Sequence, residues 1–388
     1  MMNKTNLLLA IRHLRKHRSY AFINIAGLSI GIAACLLMFR IVRYELSFDT
    51  FHRQYDRIVR VVTHDWHSSE GEDHTRGIPV PAMDEVAATV TAFEQVARVH
   101  SSWPVFTVPG SPGSMPGAKY ATDDERENML FTEPAFFRIF DWTWLGGTPE
   151  DALTAPNNAV LTRTWAEKCF GSWQAALGQT LIMDNLVPLT VKGVVEDAPS
   201  NSDFQVNVFV SYPTVRQNAD AYSYSTEWGS TSSNDQLFAL LRDPGQATAA
   251  AHALAQVGQA HYNTPNNQRK HEIQPLADIH FAEYNSGAFG THTMEKDRLM
   301  ILALIGAMVL LMACFNFVNL ATAQAGGRAR GGRAQSNRRK PVATFPAVYG
   351  RNGRHCRHSP GHWGFCSGTE YAFTGTYIGC TRRAIFSF

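Results

Sequence analysis

The sequence predicts a membrane protein in which two transmembrane α-helices flank a large extracytoplasmic α+β domain of mixed short strands and helices. Three observations lead to this fold class. Two long apolar runs carry no charge, the charge along the chain is basic, then acidic, then basic, and β-rich stretches alternate with helical patterns between the runs. The 388-residue chain is 45% hydrophobic and has a net charge of only +2. This near-neutral total hides the unequal distribution of charge along the chain.

The two apolar runs are the first observation. Residues 21–39 hold 19 residues without a charge, and residues 300–320 hold 21. Each is long enough to cross roughly 30 Å of hydrocarbon as a helix. The first could be a cleaved signal peptide, but Arg40 and Arg43 follow it where a small-residue cleavage site is expected. The second could be a buried core helix, although such helices rarely run so long uncharged. We predict membrane helices at 21–42 and 299–320.

The charge partition predicts the orientation of these helices. Residues 1–44 carry a net +7, residues 45–298 a net −15 and residues 299–388 a net +10. Basic flanks stay in the cytoplasm, so we expect a protein that crosses the membrane more than once. Both intended ends would be cytoplasmic, and the acidic domain at 45–298 would lie outside. Nucleic-acid binding is disfavoured, because a nucleic-acid binder usually concentrates basic charge on its folded domain.

Residues 1–20 have the pattern of an amphipathic, basic cytoplasmic segment. Leu7, Leu8, Ile11 and Leu14 recur at helical spacing, and the basic residues lie mostly off that stripe. A helix of this kind lies in the membrane interface and binds lipid. The alternative is that the basic charge only sets topology.

Small and polar residues inside the two runs indicate helix packing. Gly27 and Gly31 form a G-x-x-x-G pattern, which permits close contact between helices but is common by chance. Asn316 and Asn319 lie at the inner end of the second run, where side-chain amides hydrogen-bond across helices.

The block between the runs reads as a mixed α/β domain. Helical patterns cover Pro81–Val99 and Thr162–Phe170, Gly and Pro cluster at Pro109–Gly117 and Asp197–Asn201, and Thr226–Asn234 reads as a loop. Five short β-rich stretches are predicted as strands, namely Arg57–Thr63, Asn158–Thr162, Pro188–Val195, Gln205–Val210 and Gln236–Leu241.

The sequence offers no constellation for catalysis, and we name no catalytic, cofactor-binding or metal-ligating residue. It lacks a Walker phosphate loop, H-E-x-x-H and C-x-x-C. Cys169 has no identifiable partner base and is expected to be a packed core residue. A metal site near the acidic residues of 65–73 is conceivable but disfavoured, because the histidines there fit no helix face. Those histidines are His64, His67 and His74.

At this point the ordered pieces of the chain resemble FtsX-like ABC-transporter permeases of the MacB type, in the form common in Bacteroidetes. The resemblance begins with LLLAIRHLRKHRSYAFINIAGLSIGIAACLLMFRIVRYELSFDTFH, is followed by RIVRVV, and covers about residues 1–330. The later pieces, in order, are FTEPAFFRIFDWTWLGGTPEDAL (131–153), NNAVLTRTWAEKCFG (157–171), VKGVVEDAPSNSDFQVNVFVS (191–211), IQPLADIHF (273–281) and LMACFNFVNLATAQAGGRAR (311–330).

The resemblance implies a multi-pass permease subunit of the bacterial inner membrane, with a large MacB-like periplasmic core domain between its first two helices. In that family the ATPase is a separate domain or chain, so a separate ABC ATPase subunit is the implied partner, with pairing of two permease subunits. No cofactor, enzymatic activity or nucleic-acid partner is implied. Similar proteins transmit ATP-driven motion to an outer domain that acts on a lipoprotein, peptide or other amphiphile. The alternative function is a membrane-anchored extracytoplasmic sensor or scaffold without an ATPase.

The resemblance ends after Arg330. The family continues with Glu-Val-Gly-Val-Arg-Lys-Ala-Ile-Gly-Ala and two more membrane helices, whereas this chain continues with GGRAQSNRRK. Suitable codons for the family segment, read from the third base, encode Gly-Gly-Arg-Ala-Gln-Ser-Asn-Arg-Arg, which is residues 331–339 here. We therefore expect 321–330 to begin a cytoplasmic segment and 331–388 to be an out-of-frame, disordered tail of a truncated permease.

The tail has one competing interpretation. It contains four residues of the types that bind zinc, and a zinc or nucleic-acid module would use such residues. Their spacing does not match a standard finger, so this interpretation is disfavoured. The four residues are Cys356, His358, His362 and Cys366.

Overall fold

The computed structural model describes residues 18–67, 71–109, 119–121, 128–262 and 267–336, without residues 283, 286, 290 and 291. The amphipathic segment expected at residues 1–20 lies outside these residues, apart from Arg18–Tyr20 in the first helix. Residues 337–388 of the expected tail also lie outside them, as do all four of its candidate zinc ligands.

The described residues form ten α-helices, three short 3₁₀ turns and thirteen strands. The 3₁₀ turns are Tyr55–Arg57, Ala219–Tyr222 and Pro244–Gln246. The helices are α1 Arg18–Glu45, α2 Val80–Thr89, α3 Phe136–Ile139, α4 Pro149–Leu153, α5 Arg163–Phe170, α6 Trp173–Ala176, α7 Tyr212–Gln217, α8 Ala247–Tyr262, α9 Leu276–Ile279 and α10 Lys296–Ser336. The strands are β1 Ile58–His67, β2 Gly71–Thr75, β3 Phe93–Ser102, β4 Val105–Thr107, β5 Lys119–Ala121, β6 Asn128–Thr132, β7 Trp144–Gly146, β8 Asn158–Thr162, β9 Thr180–Met183, β10 Val187–Val195, β11 Val206–Ser211, β12 Asp235–Leu241 and β13 Asn267–Pro275.

The helices α1 and α10 contain the two membrane spans. The segments Phe22–Glu45 and Lys296–Asn319 are each 24 residues long and apolar enough to cross a membrane. Only 0% and 11% of their apolar windows are buried inside the protein. A core helix of a soluble protein would be mostly buried, so the exposed apolar faces are those of lipid-facing helices. The helix α10 continues beyond the predicted limit at residue 320 and ends at Ser336.

All thirteen strands belong to one mixed sheet. Its order is β13-β1-β12-β3-β6-β11-β8-β10-β9-β4-β5, with β2 added to β1 and β7 added to β10. The pairs β8/β10 and β6/β11 are parallel, and the remaining pairs are antiparallel. The helices α2 to α9 are inserted between strands, and α1 and α10 are attached at the two ends of the domain.

The core lies on both faces of this sheet. Along β12, Phe238 and Leu240 pack in one cluster while Leu237 and Ala239 pack in another, because successive side chains of a strand point to opposite faces. The first face is rich in aromatic rings, with Phe140 and Phe204 centred 4.4 Å apart. The helices α2 and α8 cover part of the second face, and α5 covers another part.

The structure corrects one predicted helix. The pattern over Pro81–Val99 predicted a single helix, but α2 ends at Thr89 and β3 begins at Phe93. The backbone of β3 pairs with β12 on one side and β6 on the other. This two-sided pairing satisfies the backbone groups of a segment whose valines fit a pleated surface, so tertiary pairing overrides the local helical spacing.

The other elements agree more closely with the expectations. The strand β8 and the helix α5 lie where they were predicted, and the remaining predicted strands differ by a few residues at their ends. Residues 226–234 contain no helix or strand. Residues 110–118, most of the Pro109–Gly117 loop, lie outside the described part.

Candidate functional site

The outer domain meets the membrane helices in a buried polar region that we call the junction. We define it as residues 44–60, 197–205 and 274–296. It contains the outer end of α1, the loop between β10 and β11, and the segment that leads from β13 through α9 into α10. Any motion of either membrane helix passes through these residues before it reaches the sheet.

The end of α1 and the turn that follows it are bound to the loop of residues 197–205 by several hydrogen bonds. The Tyr44 hydroxyl donates to the Ser200 carbonyl at 2.6 Å. The Asp49 N–H donates to the Asn201 carbonyl at 3.0 Å, and the Asn201 side-chain amide donates to the Ser47 carbonyl at 2.9 Å. These bonds link both the last turn of α1 and the residues after it to the loop.

Two buried carboxylates lie directly behind this contact. Asp49 and Asp203 are 2% and 0% exposed. The Ser202 hydroxyl donates to Asp49 Oδ1 at 2.6 Å, and the Asp203 N–H donates to Asp49 Oδ2 at 3.1 Å. Burial, together with the neighbouring Asp203 carboxylate, raises the pKa of Asp49 to about 7, although the two hydrogen bonds act in the opposite direction. Asp49 therefore changes its charge near neutral pH.

His280 joins this pair to the membrane helix. Its Nδ1 lies 3.0 Å from Asp203 Oδ1 and its Nε2 lies 2.8 Å from Glu45 Oε2. The ring is 2% exposed and stacks on Phe48 with centroids 3.6 Å apart. Burial lowers the pKa of His280, but the hydrogen bonds to Asp203 and Glu45 outweigh it, so the net shift is upward. One side chain thus connects the last residue of α1 to the loop before β11.

The second membrane helix is attached to the same place. The Met294 N–H donates to the His280 carbonyl at 3.3 Å. The Lys296 ammonium, at the start of α10, pairs with Asp278 at 2.5 Å. Both members of this ion pair are largely exposed, so water screens it and it stabilises less than the buried contacts do.

Arg60 anchors the segment before α10 to the sheet. It is 0% exposed and donates from Nε and Nη2 to Gln274 Oε1 at 3.1 and 2.7 Å. Its Nη1 donates to Gln236 Oε1 at 2.9 Å and to the Gly287 carbonyl at 2.8 Å, and Nη2 also reaches the Asn285 carbonyl. Burial lowers the pKa of this guanidinium to about 9. Through its neutral amide and carbonyl partners, Arg60 holds Asn285 and Gly287 against β1 and β12.

His52 closes the other side of the junction. Its Nδ1 accepts a hydrogen bond from the Asp141 N–H at 3.0 Å. Burial lowers the pKa of His52 to about 4, which the Asp141 carboxylate opposes only in part. The Asp141 carboxylate also accepts from Arg53 Nε at 2.7 Å. The turn after α1 therefore contacts the outer domain at Asp141, at the loop of residues 197–205 and at His280.

The two membrane helices contact each other through the G-x-x-x-G residues. A Cβ on Gly31 would lie 2.8 Å from the Cβ of Ala313, and a Cβ on Gly27 would lie 3.4 Å from the side-chain amide of Asn316. The absence of a Cβ at these glycines lets α1 and α10 approach closely. The close approach at Gly27 and Gly31 agrees with the helix-packing interpretation of these glycines. Asn316 and Asn319 are both exposed on α10, and the expected hydrogen bonding of their amides across helices stays a prediction.

The residues considered for a metal site lie elsewhere. His64 and His74 face each other across β1 and β2, with ring centroids 4.3 Å apart, beside a cavity of about 460 Å³. The side chain of His67 lies outside the described residues. In the described part of the chain, no group of three or more His, Cys, Asp or Glu side chains is arranged to hold a metal ion. Cys169 is buried in a hydrophobic cluster.

Sequence reasoning missed the charged residues of the junction. Glu45 and Asp49 directly follow the first apolar run, and His280 lies in the segment that carried part of the family resemblance. These are the signals that were available. The approach of Asp203 to His280, 77 residues apart, is set by the folded sheet and has no local signature.

Comparison with known proteins identifies the domain. A family model described as the MacB-like periplasmic core domain matches residues 21–257. No curated protein matches the chain at a significant level.

Solved structures similar to this chain include three domains of membrane transport proteins. One is a domain of a putative permease from Porphyromonas gingivalis, 20% identical over 58% of this chain and 91% of that one, with a TM-score of 0.46. The periplasmic region of MacB from Actinobacillus actinomycetemcomitans is 16% identical over 57% and 90%, with a TM-score of 0.40. The extracellular domain of the noncanonic ABC-type transporter YknZ from Gram-positive bacteria is 13% identical over 55% and 98%, with a TM-score of 0.37.

The family match covers more than half of the chain and includes most of the first membrane helix as well as most of the outer domain. Together with the second membrane helix, it accounts for the sequence resemblance and for the architecture. The chain belongs to the family of the MacB-like periplasmic core domain, and it is an inner-membrane protein of the ABC-transporter permease type with a periplasmic domain.

Proposed function

We propose that this chain is the membrane subunit through which a separate ABC ATPase moves a periplasmic domain that acts on a lipoprotein, peptide or other amphiphile. The observation that carries the proposal is the junction. Both membrane helices are tied to the same buried cluster, through Glu45 on one side and the segment after His280 on the other. A displacement of α1 against α10 therefore reaches the outer domain instead of being absorbed in a flexible linker.

The proposal includes an orientation and an oligomeric state. Both ends of the intact protein would lie in the cytoplasm, where Arg328 and Arg330 open the segment that meets the ATPase, and two permease subunits would pair. The outer domain would occupy residues 45–298 and lie in the periplasm. The charge partition supports this orientation, because the basic flanks are the ends retained inside.

Transmission through the junction is tested with an ABC ATPase, for which a gene beside this one would supply the candidate. The chain with its reading frame restored after Arg330 and the ATPase are reconstituted in lipid nanodiscs, and amide hydrogen exchange is followed with ADP or a non-hydrolysable ATP analogue. We expect the analogue to change exchange in residues 46–57 and 197–205 as well as in α10. Without the ATPase, the analogue should not change hydrogen exchange in any of these segments.

A variant that cuts the junction separates transmission from ATPase binding. Tyr44→Phe combined with Asn201→Ala removes the hydrogen bond from Tyr44 to Ser200 and both side-chain hydrogen bonds from Asn201 to Ser47. We expect the ATPase still to co-purify while the nucleotide effect on the outer domain falls at least twofold. The control Arg138→Met removes an exposed ion pair away from the junction. No co-purification with the ATPase would favour the alternative function, a membrane-anchored sensor or scaffold.

Orientation is tested by cysteine labelling in a background where the native cysteines are replaced. Leu186 is 58% exposed on the outer domain, so Leu186→Cys should react with a membrane-impermeant maleimide in intact spheroplasts. Asn3→Cys should react only after the membrane is permeabilised. Leu240 is 1% exposed, so Leu240→Cys serves as the control for a folded domain. Reaction at position 3 but not at 186 in intact spheroplasts would contradict the orientation.

A further inference from the structure

His280 is held by two carboxylates from different parts of the chain. Its two ring nitrogens lie 2.8 and 3.0 Å from oxygens of Glu45 and Asp203. An ionised carboxylate only accepts hydrogen bonds, so both nitrogens donate when both carboxylates are charged. A neutral imidazole has a single N–H donor, and its other nitrogen would place a lone pair against a carboxylate oxygen. The observed geometry is therefore that of the charged imidazolium.

We propose that Glu45, His280 and Asp203 form a proton-dependent latch, which holds the first membrane helix to the outer domain while His280 is protonated and releases it when His280 is neutral. The inference deepens the proposed function, because it names a regulator of the contact through which motion would pass. The periplasmic side of the inner membrane follows the external pH, so the latch would respond to the medium.

The surroundings of His280 make its charge decide whether both of its hydrogen bonds can form. The ring is 2% exposed, so water does not replace a lost hydrogen bond. Other groups also face it or its partners. The rings of Phe48 and Phe281 pack against the His280 ring. The centroid of the His292 ring lies 6.4 Å from that of His280, and His292 Nε2 lies 3.9 Å from Glu45 Oε1. The Asp49 carboxylate lies beside Asp203, and the Asp278–Lys296 pair is more distant.

Asp49 reinforces the response. It is buried against Asp203 and hydrogen-bonded to Ser202. Its pKa is raised to about 7, and the hydrogen bonds to Asp203 and Glu45 raise the pKa of His280 from its ordinary value. As the pH rises, Asp49 gains a negative charge and His280 loses its positive charge. Both changes leave more uncompensated negative charge in a buried cluster, so both weaken the latch with increasing pH.

The test follows the latch in the full chain, in nanodiscs and without any ATPase, so that failure of the proposed function does not affect it. Amide exchange of residues 46–57 is measured from about pH 5.5 to about pH 9 and corrected for the intrinsic pH dependence of exchange. We expect protection in this segment to fall at least fivefold across the range. Unchanged protection in the wild-type chain would overturn the latch, and this result needs no variant.

Two variants distinguish a latch from a merely structural contact. In Glu45→Gln or Asp203→Asn, His280 loses one negative partner, so the midpoint of the change should move to lower pH by about one unit or more. The matched control is Glu272→Gln, which removes a carboxylate that faces a different histidine, His64, at 3.6 Å. The control should keep the wild-type midpoint. Equal midpoints in all three variants would show that His280 is not the titrating group and would refute the proposal.

Discussion

Gly31 on the first membrane helix faces Ala313 on the second so closely that a Cβ on Gly31 would lie 2.8 Å from the Cβ of Ala313. Real Cβ atoms do not approach to this distance, so Gly31→Ala must push the helices apart. We expect the variant to lose about 1–3 kcal/mol of stability, measured as a lower thermal unfolding temperature of the full chain in detergent.

The double variant Gly31→Ala/Ala313→Gly moves the methyl group from one helix to the other and restores the space. It should be more stable than the sum of the two single changes predicts. Ile30→Leu, at a position that is 69% exposed on the lipid-facing surface, is the control for a change within the membrane. Additive effects of the two single changes would contradict the proposed contact.

Gly77 is required by a close approach inside the outer domain. A Cβ there would lie 1.8 Å from the Ser232 carbonyl oxygen, which is backbone and cannot turn away. Gly77→Ala should therefore cost about 2 kcal/mol or more, measured by urea unfolding followed through tryptophan fluorescence. Gly229→Ala is the matched control, because no atom lies within 4 Å of its added Cβ. Equal stability of the two variants would show that the approach is looser than described.

Arg60 stabilises the segment that leads into α10. Arg60→Met would leave Gln274 Oε1 and Gln236 Oε1 with fewer donors in a buried site, together with the carbonyls of residues 285 and 287. Unsatisfied buried acceptors cost about 1–3 kcal/mol each, so we expect a loss of about 3 kcal/mol or more. The measurement is urea unfolding of the full chain.

Two further variants show whether the loss of stability in Arg60→Met comes from the buried hydrogen bonds. Arg60→Lys should recover part of the loss, since an ammonium donates to fewer of the acceptors. Arg138→Met should cost at most about 1 kcal/mol, because the Arg138–Glu150 pair is exposed. If Arg60→Met were as mild as Arg138→Met, the segment before α10 would have to be held by other contacts.

Acid should destabilise the outer domain through buried neutral histidines. Burial lowers the pKa values of His271 and His52 to about 4 in the folded protein. Between pH 6.5 and 4 the unfolded chain therefore binds protons that the folded chain does not, and stability falls as the pH falls. Asp49, whose pKa is raised to about 7, binds a proton in the folded state and so increases stability as the pH falls through the same range. This single group opposes the two histidines.

The variant His271→Gln isolates one of these groups. The slope of unfolding free energy against pH between about 4.5 and 6 should decrease by roughly 1.4 kcal/mol per pH unit. Above about pH 7.5 the difference between the variant and the wild type should be constant. Chemical unfolding at a series of pH values measures both. A variant with the wild-type slope would mean that His271 is protonated in the folded domain.

The family, the fold class and the two membrane helices could be predicted from the sequence because each depends on local or ordered information. An uncharged run of about 20 residues has few soluble alternatives, and the positions of Arg and Lys relative to it follow from the chain alone. Strands such as β8 were also predictable, because a short continuous apolar run with β-branched residues is visible in five residues.

The tertiary structure decided whatever depends on contacts between distant segments. The strand β3 lies within a predicted helix, since its pairing with β12 and β6 satisfies its backbone better than local spacing does. The latch residues Glu45, Asp203 and His280 are spread over more than 200 residues, and each is unremarkable in its own segment. Their meeting depends on the order of strands in the sheet, and only burial in that place turns three ordinary charges into one coupled, proton-sensitive group.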